Sequence, residues 1–595
     1  MHRLLWVFFL VTNAAVAAEP HNLILFVPDG LRALMVNATT TPTMNEMKGN
    51  GVYFENNHSA YPTLTMPNAS VFSTGHVLGD TGIFSNSIYT KEVVHQAHDT
   101  TTPFLENDDI IDELENQYDG HLMRFSALLE EAQHHGFNTA VIGKVGPTKL
   151  FHPTITQDMF PILIDDMTGH NTSTLPQPLI DLLNQNQLPL ITPGRGSNGQ
   201  SGNAMTPGTL TNNRDQQQYF VDVATKVILP YLNHQHKPFV LVYWSRDPDG
   251  TQHNQGDSLQ QVVPGINGPT SLSAITNADN NLHQLMNALI TLGLDKNTNI
   301  VVAADHGFST IWKESQTSYS ASQSYTDVAT HQLPPGFLAI DLSHGLGLPL
   351  YDANQTDHLV VAHEHPIAGN GLIGEDSSHP WIRVVANGGS DLIYVDHPAS
   401  KKEIEKIITL LFHEDYVSGV FVDDKLGRYP GTLTLSDIGL DGQANTPRPA
   451  MVVNFRSSYS ACRQPITCSV EIADTVLQQG QGMHGNFNRA DTYPFMAAIG
   501  PDFKTHYTDL IPSSNVDMGM TLRALLGLTG SSNNNHVGRV LEEALLGGKE
   551  PLFNHVKKVS DPGLGGKQTV LNIQKVGSHS YLDSGGFPGN TLGLY

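Results

Sequence analysis

The chain has 595 residues and a formal net charge of −25, from 32 basic against 57 acidic side chains. That balance excludes a protein that coats a nucleic-acid polymer, which needs a basic face, while a nucleotide stays open as a small substrate. At about 150 residues per domain the length suggests about four domains, although large α/β enzymes often exceed that size. The 29 histidines are mostly ordinary surface or packing residues, and only some are candidate ligands.

Met1–Ala18 reads as a secretory signal. A short basic start, His2-Arg3, precedes the apolar run LLWVFFLV and an A-x-A pattern at Ala15–Ala17. The run is too short to span a bilayer, and no later run approaches that length. The expected mature protein is exported, periplasmic or secreted, without a transmembrane segment. Cys462 and Cys468 are the only cysteines. An oxidising compartment makes a small loop disulfide between them the expectation, with a partial metal site as the alternative.

Asn22–Val27 (NLILFV) is a continuous apolar run, as in a buried parallel strand. It ends in Pro28-Asp29-Gly30, which puts a carboxylate where open α/β sheets bind ligands. Thr41-Pro42 opens a short helix, and Gly51–Phe54 is a strand. Tyr61–Asn86 carries Thr65 in a Pro-Thr-Leu-Thr-Met-Pro-Asn turn, with Asn86 beyond a glycine-rich segment. A threonine hydroxyl becomes a useful nucleophile only when a base or a metal strips its proton. Leu122–Gly136 has a helical apolar stripe closed by Gly136, and the strand Thr139–Ile142 leads into Gly143-Lys144. The alternation of helix and strand predicts a doubly wound sheet.

Gly194–Gln218 reads as an exposed loop, followed by a helix over Gln218–Leu232. The buried strand FVLVYW, Phe239–Trp244, runs into Ser245-Arg246-Asp247-Pro248-Asp249 and on to His253. An Asp and a His four apart just past a strand end can converge on one metal ion. A clean stripe over Ile275–Leu292 predicts a helix stopped by Gly293. Asn299–Ala304 is a strand ending in Asp305-His306. Lys313–Asn445 looks like an insertion with its own α/β units, including a helix opened by a Ser400…Glu403 capping box. His363-Glu364-His365 lacks the helical H-E-x-x-H spacing and reads as solvated or locally paired. His484 sits between glycines in QGMHGN, followed by a strand over Tyr493–Gly500 and a helix over Met518–Leu526. The tail from Ser531 offers short β-like pieces and no chemistry.

The ordered set Asp29, Thr65, Asp249, His253, Asp305, His306, His484 resembles the alkaline phosphatase superfamily, in its nucleotide pyrophosphatase/phosphodiesterase branch. The carrying motifs are VPDGLR at Val27–Arg32, YPTLTMPN at Tyr61–Asn68, TGIFSN at Thr81–Asn86, PDGTQH at Pro248–His253, ADHGFS at Ala304–Ser309 and GMHG at Gly482–Gly485. The resemblance implies two divalent metal ions, usually zinc. By motif position Asp249, His253 and His484 resemble the ligands of one. Asp29, Asp305 and His306 resemble those of the other, with the nucleophile Thr65 reaching that second ion. Two metals roughly 4 Å apart can clamp the attacking and leaving oxygens of an in-line phosphoryl displacement. A phospho-threonine intermediate is then expected, with Asn86 donating to a nonbridging phosphate oxygen. The family's glycine before the second ligand is Gln252 here, and Asn486-Phe487-Asn488 departs from the usual sequence after His484; both put specificity in question. Lys144 and Arg246 are candidate phosphate or leaving-group contacts, with surface salt bridges as the alternative.

The implied fold is α/β, a doubly wound, mostly parallel sheet flanked by helices with an inserted smaller α/β cap. The expected division is a signal at 1–18, a catalytic core at 19–312 and 446–530, the cap at 313–445 and a tail at 531–595. The expected activity is hydrolysis of a small phosphodiester or pyrophosphate substrate of nucleotide type. A phosphomonoesterase or a phosphonoacetate hydrolase would use the same core. A sulfatase would need Cys or Ser at the nucleophile and Arg where Ala69 stands. A noncatalytic binding protein would be expected to have lost a ligand, and all seven positions retain usable chemistry. Sequence leaves the leaving group, the metal and the oligomeric state open.

Overall fold

The computed structural model describes residues 20–153, 162–170, 175–396, 399–461, 467–528 and 536–594. The expected signal segment lies outside the described residues. Strand β1 (Asn22–Pro28) is buried along its whole length, as its unbroken apolar run demands. Leu23, Leu25 and Val27 enter one core, and Ile24 and Phe26 enter another on the opposite face. A sheet covered on both faces is the arrangement that parallel strands require.

The same sheet continues with β2 (Val52–Phe54), β3 (Asn138–Gly143), β4 (Ile162–Asp165), β5 (Phe239–Ser245) and β6 (Thr298–Ala303). A second sheet takes β7 (Leu350–Asp352), β8 (Gly371–Ile373), β9 (Ile382–Val385), β10 (Ser390–Val395), β11 (Val417–Val422), β12 (Leu433–Thr434) and β13 (Met451–Phe455). The chain then returns to the first sheet in β14 (Met496–Ile499) and β15 (Tyr507–Asp509).

The first sheet has the order β15-β2-β14-β6-β1-β5-β3-β4. Strands β6, β1, β5, β3 and β4 are parallel neighbours, and β14 runs antiparallel between β6 and β2. This is the α/β, mostly parallel architecture expected from the alternating elements. The second sheet, ordered β12-β11-β13-β10-β9-β8-β7, is antiparallel except at β11–β12. Through β13 it reaches past residue 445. Leu392, Phe421 and Val452 on one of its faces join the core shared with β1, and the other face forms its own core. A three-stranded antiparallel sheet over 553–586 closes the described chain.

The helices include α1 (Thr65–Thr74), α2 (Asp249–Asn254), α3 (Pro269–Thr291), α4 (Phe337–Leu346), α5 (Lys401–His413) and α6 (Asn515–Leu525). The predicted stripe of α3 is buried at Ile275, Ala278, Leu282, Leu285 and Leu289, each large member contributing about 1.5–3 kcal/mol through its burial. Helix α5 starts with the predicted box, Glu403 N–H donating to Ser400 Oγ and Ser400 N–H to Glu403 Oε2.

Two expected elements differ. The helix predicted over Leu122–Gly136 exists only at Leu128–His134. Its first part is drawn off by tertiary bonds: Leu122 N–H donates to Glu115, Ser126 O accepts from Arg523, and the Phe125 ring stacks on His76. The glycine-rich loop before Gln218 is not simply exposed. Asn198, Thr209 and Asn213 are buried, and Asn198 Nδ2 donates to Thr251 Oγ1 at 2.8 Å, pinning the loop onto α2. The helix behind it begins earlier, at Arg214.

Candidate active site

Parallel strands deliver their C-terminal ends to one edge of a sheet, and loops leaving that edge converge there. Asp29 follows β1, Lys144 follows β3, Asp166 follows β4, the Arg246–Asp249 turn follows β5, and Asp305 and His306 follow β6. Thr65 is the first residue of α1. His484 arrives from the segment between β13 and β14.

The structure brings six of the predicted residues into two groups, Asp249–His253–His484 and Asp29–Asp305–His306. Within each, one ligand atom per residue lies within 4.8 Å of the others. The groups abut, because the His306 and His484 rings stack with centroids 3.6 Å apart. Thr65 Oγ1 lies 3.2 Å from His306 Nε2. Asn86 accepts the Met66 N–H on its Oδ1 at 2.9 Å, which orients its amide beside the start of α1.

The donor atoms suit a cation. His253, His306 and His484 each commit Nδ1–H to a backbone carbonyl, of Gly482 (2.8 Å), Gly307 (2.9 Å) and Thr63 (2.9 Å) respectively. That fixes the tautomer with the Nε2 lone pair turned inward. One oxygen of each aspartate, Asp29 Oδ1, Asp249 Oδ1 and Asp305 Oδ2, is buried with no hydrogen-bond donor. These oxygens face the same imidazole nitrogens: Asp249 Oδ1 is 3.1 Å from His253 Nε2, and Asp305 Oδ2 is 3.2 Å from His306 Nε2. Buried lone pairs directed at one another are costly unless a cation sits among them.

The electrostatics agree. Burial, then the charges of Asp249 and Asp305, push Asp29 well above the usual carboxylate range. Burial pushes Asp305 up to about 7 and holds the His306 and His484 imidazoles down at about 3. Burial raises Asp249, but Lys144 leads the groups that together hold it well below its ordinary value.

Lys144 is no surface residue. It is 1% exposed, and its Nζ lies 2.9 Å from Asp29 Oδ2, 3.2 Å from Asp249 Oδ2, 3.1 Å from Glu106 Oε1 and 3.3 Å from Thr65 Oγ1. It therefore bridges one carboxylate of each group and reaches the hydroxyl between them. Gly143 makes this possible: at φ 129°, any Cβ there would collide with the Trp244 carbonyl, which accepts the Lys144 N–H at 3.0 Å. Arg246 is also largely buried and pairs with Asp166.

Several contributors gave little sequence signal. Trp244 Nε1 donates to Asp29 Oδ2 at 2.8 Å, yet it ends an apolar strand like any core residue. Glu106 stands in a loop with no motif. Asp166 closes ILIDD, and the strand-end rule that found Asp29 also reaches it. His363, Glu364 and His365 are locally paired, with Ser324 O, His358 and Asp327. The Cys462–Cys468 pairing falls on Cys462, outside the described residues.

Comparison with known proteins gives three results. No curated protein sequence matches the chain. Among solved structures, an inactive variant of murine ectonucleotide pyrophosphatase/phosphodiesterase 5 in complex with AMP shares 16% identity, covers 89% of this chain and 100% of its own, and has a TM-score of 0.50. The human counterpart shares 14% identity over 88% of this chain and 99% of its own, with a TM-score of 0.49. At such identity the first of these speaks for the fold alone. The model of the family described as type I phosphodiesterase/nucleotide pyrophosphatase matches residues 23–334. That match spans just over half of the 595 residues, and the chain belongs to this family of phosphodiester hydrolases.

Proposed function

We propose that the protein is an exported two-metal phosphohydrolase that cleaves phosphodiester or pyrophosphate bonds of nucleotide-type substrates through a Thr65-bound intermediate. The observation that carries this reading is the position of Thr65 Oγ1, at the junction of two buried groups whose orphaned oxygens and Nε2 lone pairs converge. Asp249, His253 and His484 would hold one divalent ion, and Asp29, Asp305 and His306 the other. Zinc suits an imidazole and carboxylate donor set. When bound, the ions supply Lewis-acid stabilisation of the attacking and leaving oxygens.

The chain's own residues do the rest. Thr65 Oγ1 gives up its proton to solvent and forms a bond to phosphorus as the leaving-group oxygen departs with the bonding pair. Thr65 then carries the phosphoryl group with whatever substituent it retains. Water attacks the same phosphorus and loses a proton to solvent, the bond to Oγ1 breaks, and Oγ1 takes a proton back from solvent. Lys144 Nζ donates toward Oγ1 and so favours its anionic form in both steps. Asn86, held by its bond to Met66 N–H, turns Nδ2 to a nonbridging oxygen. The start of α1 adds its partial positive charge. Membership of a family described as nucleotide pyrophosphatase supports a nucleotide as the substrate class.

Export rests on the residues of Met1–Ala18 and is checked by the N-terminus of the protein recovered outside the cytoplasm. Among the described residues, no helix is long and apolar enough to cross a membrane. The activity is tested by kcat/KM on bis-p-nitrophenyl phosphate against p-nitrophenyl phosphate, with Thr65→Ala and a chelator as controls. Preference for the diester, lost in both controls, is expected. Preference for the monoester would overturn the diesterase reading and favour a threonine phosphomonoesterase.

A further inference from the structure

Three carboxylates surround the Lys144 ammonium, and the two proposed metal groups account for only two of them. Nζ lies 2.9 Å from Asp29 Oδ2, 3.2 Å from Asp249 Oδ2 and 3.1 Å from Glu106 Oε1. Asp29 and Asp249 each turn a second, orphaned oxygen toward an imidazole nitrogen of their own group. Glu106 belongs to neither group. Of the three side chains it alone keeps appreciable solvent contact, 12% against 0% and 3%, which places it on the open side of the ammonium.

The loop that carries Glu106 is fixed at both ends. Leu105 N–H donates to the Asn86 carbonyl at 2.8 Å, and Asn107 Oδ1 caps the helix Asp108–Gln117 by accepting the Asp109 N–H at 2.9 Å. Gly146, at φ 89°, lets the turn after Lys144 close against this loop, since an added Cβ would lie 2.6 Å from Glu106 Cα. The segments that supply Asn86 and Lys144 therefore hold the carboxylate in place. Its charge reaches further than its contact. Burial lowers Arg246, but Asp166, Glu106 and Asp249 together hold it above its ordinary value. Glu106 thus offsets Lys144 by contact and Arg246 through space.

We infer that Glu106 is a specificity-determining residue: its carboxylate disfavours a doubly charged, terminal phosphoryl group at Thr65 relative to a singly charged, internal one. Thr65 Oγ1 and Glu106 Oε1 share one ammonium, at 3.3 and 3.1 Å from Nζ. Phosphoryl oxygens carried to Oγ1 therefore meet the field of the carboxylate in a poorly screened cleft. A phosphate monoester carries close to two charges above its second pKa of about 6, whereas a diester carries one. The additional charge bears the additional repulsion. This role rests on the phosphohydrolase reading above and gives the expected preference for diesters a residue of its own.

The test compares Glu106→Gln with the wild-type protein, both in zinc-containing buffer at pH 8, on p-nitrophenyl phosphate and bis-p-nitrophenyl phosphate. The ratio of kcat/KM for the monoester to that for the diester should rise about tenfold, the scale of one unit charge removed at this range. An unchanged ratio, with both substrates slowed in parallel as a merely structural role would give, would overturn the inference. Glu106→Asp keeps the charge and should stay near the wild-type ratio, and a ratio as high as that of Glu106→Gln would overturn charge as the cause. Calorimetric titration of inorganic phosphate into Thr65→Ala, with and without Glu106→Gln, gives the same answer without turnover. Binding should tighten about tenfold on loss of the carboxylate, and unchanged or weaker binding would overturn the role. Failure of the wild-type protein to hydrolyse either ester would instead overturn the phosphohydrolase reading, leaving the phosphate titration to decide whether Glu106 limits the charge of the bound anion.

Discussion

The two large sheets of this molecule are built from similar buried, apolar strands, yet only one carries the proposed site. In the first sheet the strands β1, β3, β4, β5 and β6 run parallel, so Asp29, Lys144, Asp166, Asp249, Asp305 and His306 all emerge at one edge. In the second, successive strands alternate in direction, and the groups at their ends are divided between opposite edges. Its contribution is bracing. Gly389 N–H donates to the His484 carbonyl at 2.9 Å, Ser390 Oγ to the Gly485 carbonyl at 2.6 Å, and Asn387 Oδ1 accepts the Ser87 N–H at 2.9 Å. The turn between β9 and β10 thus holds one proposed ligand and the neighbour of Asn86 without presenting a candidate ligand of its own. Strand direction, more than strand composition, decides where a site can assemble.

This contrast can be broken most sharply at the first sheet. Thr65→Ala should lower kcat/KM on the favoured substrate by about 10³-fold or more, the scale of losing an activated nucleophile, while the bound metal content stays unchanged. His484→Ala and Asp305→Ala should each remove one of two ions per chain, read by elemental analysis of the dialysed protein, with activity falling by a comparable factor. Loss of both ions from either variant would show that the two groups act as one site.

A middle-sized effect is expected where the second sheet supports the first. Ser390→Ala removes the bond to Gly485 O and the 2.8 Å contact with Tyr61 Oη. Supporting contacts of this kind typically change metal affinity or activity by about 10- to 100-fold, so kcat should fall near the lower figure with little change in fold. A wild-type rate in Ser390→Ala would remove the bracing role from the second sheet.

The smallest catalytic effect belongs to the far face of the second sheet. Asp341 on α4 is buried, accepts Ser320 N–H and Tyr416 Oη–H, and is raised by burial to about 7. The unfolded carboxyl gives up its proton near the ordinary value, whereas the folded one keeps it until about pH 7. Its stabilising contribution is therefore full in acid and declines as pH rises between those two values. Asp341→Asn should flatten that slope, adding on the order of 4 kcal/mol to stability at pH 8 relative to pH 4, and leave kcat/KM untouched. Denaturant unfolding at the two pH values measures it.

Much of the candidate site is legible because four of the six proposed ligands follow an apolar run: NLILFV before Asp29, FVLVYW before Asp249, NIVVAA before Asp305 and His306. A buried strand announces itself by composition, and its last polar residue marks the sheet edge. Lys144 was legible as a position but not as an environment. Its partners Asp29, Glu106 and Asp249 lie far apart in sequence, and only the fold draws them together. Glu106 left no signal, since its loop carries no motif and it is a bond to Asn86 that fastens it beside Lys144. The short reach of the helix at Leu128–His134 has the same origin, tertiary bonds taking the backbone groups that a local stripe would have used.

The most direct test of Thr65 as nucleophile is rapid-quench mass spectrometry of the wild-type protein during turnover of bis-p-nitrophenyl phosphate. The peptide containing Thr65 should gain the mass of a p-nitrophenyl phosphoryl group within the first turnover, and the adduct should vanish as substrate is consumed. Wild-type turnover with that peptide unmodified at every time point, together with undiminished hydrolysis by Thr65→Ala, would contradict covalent catalysis at this residue.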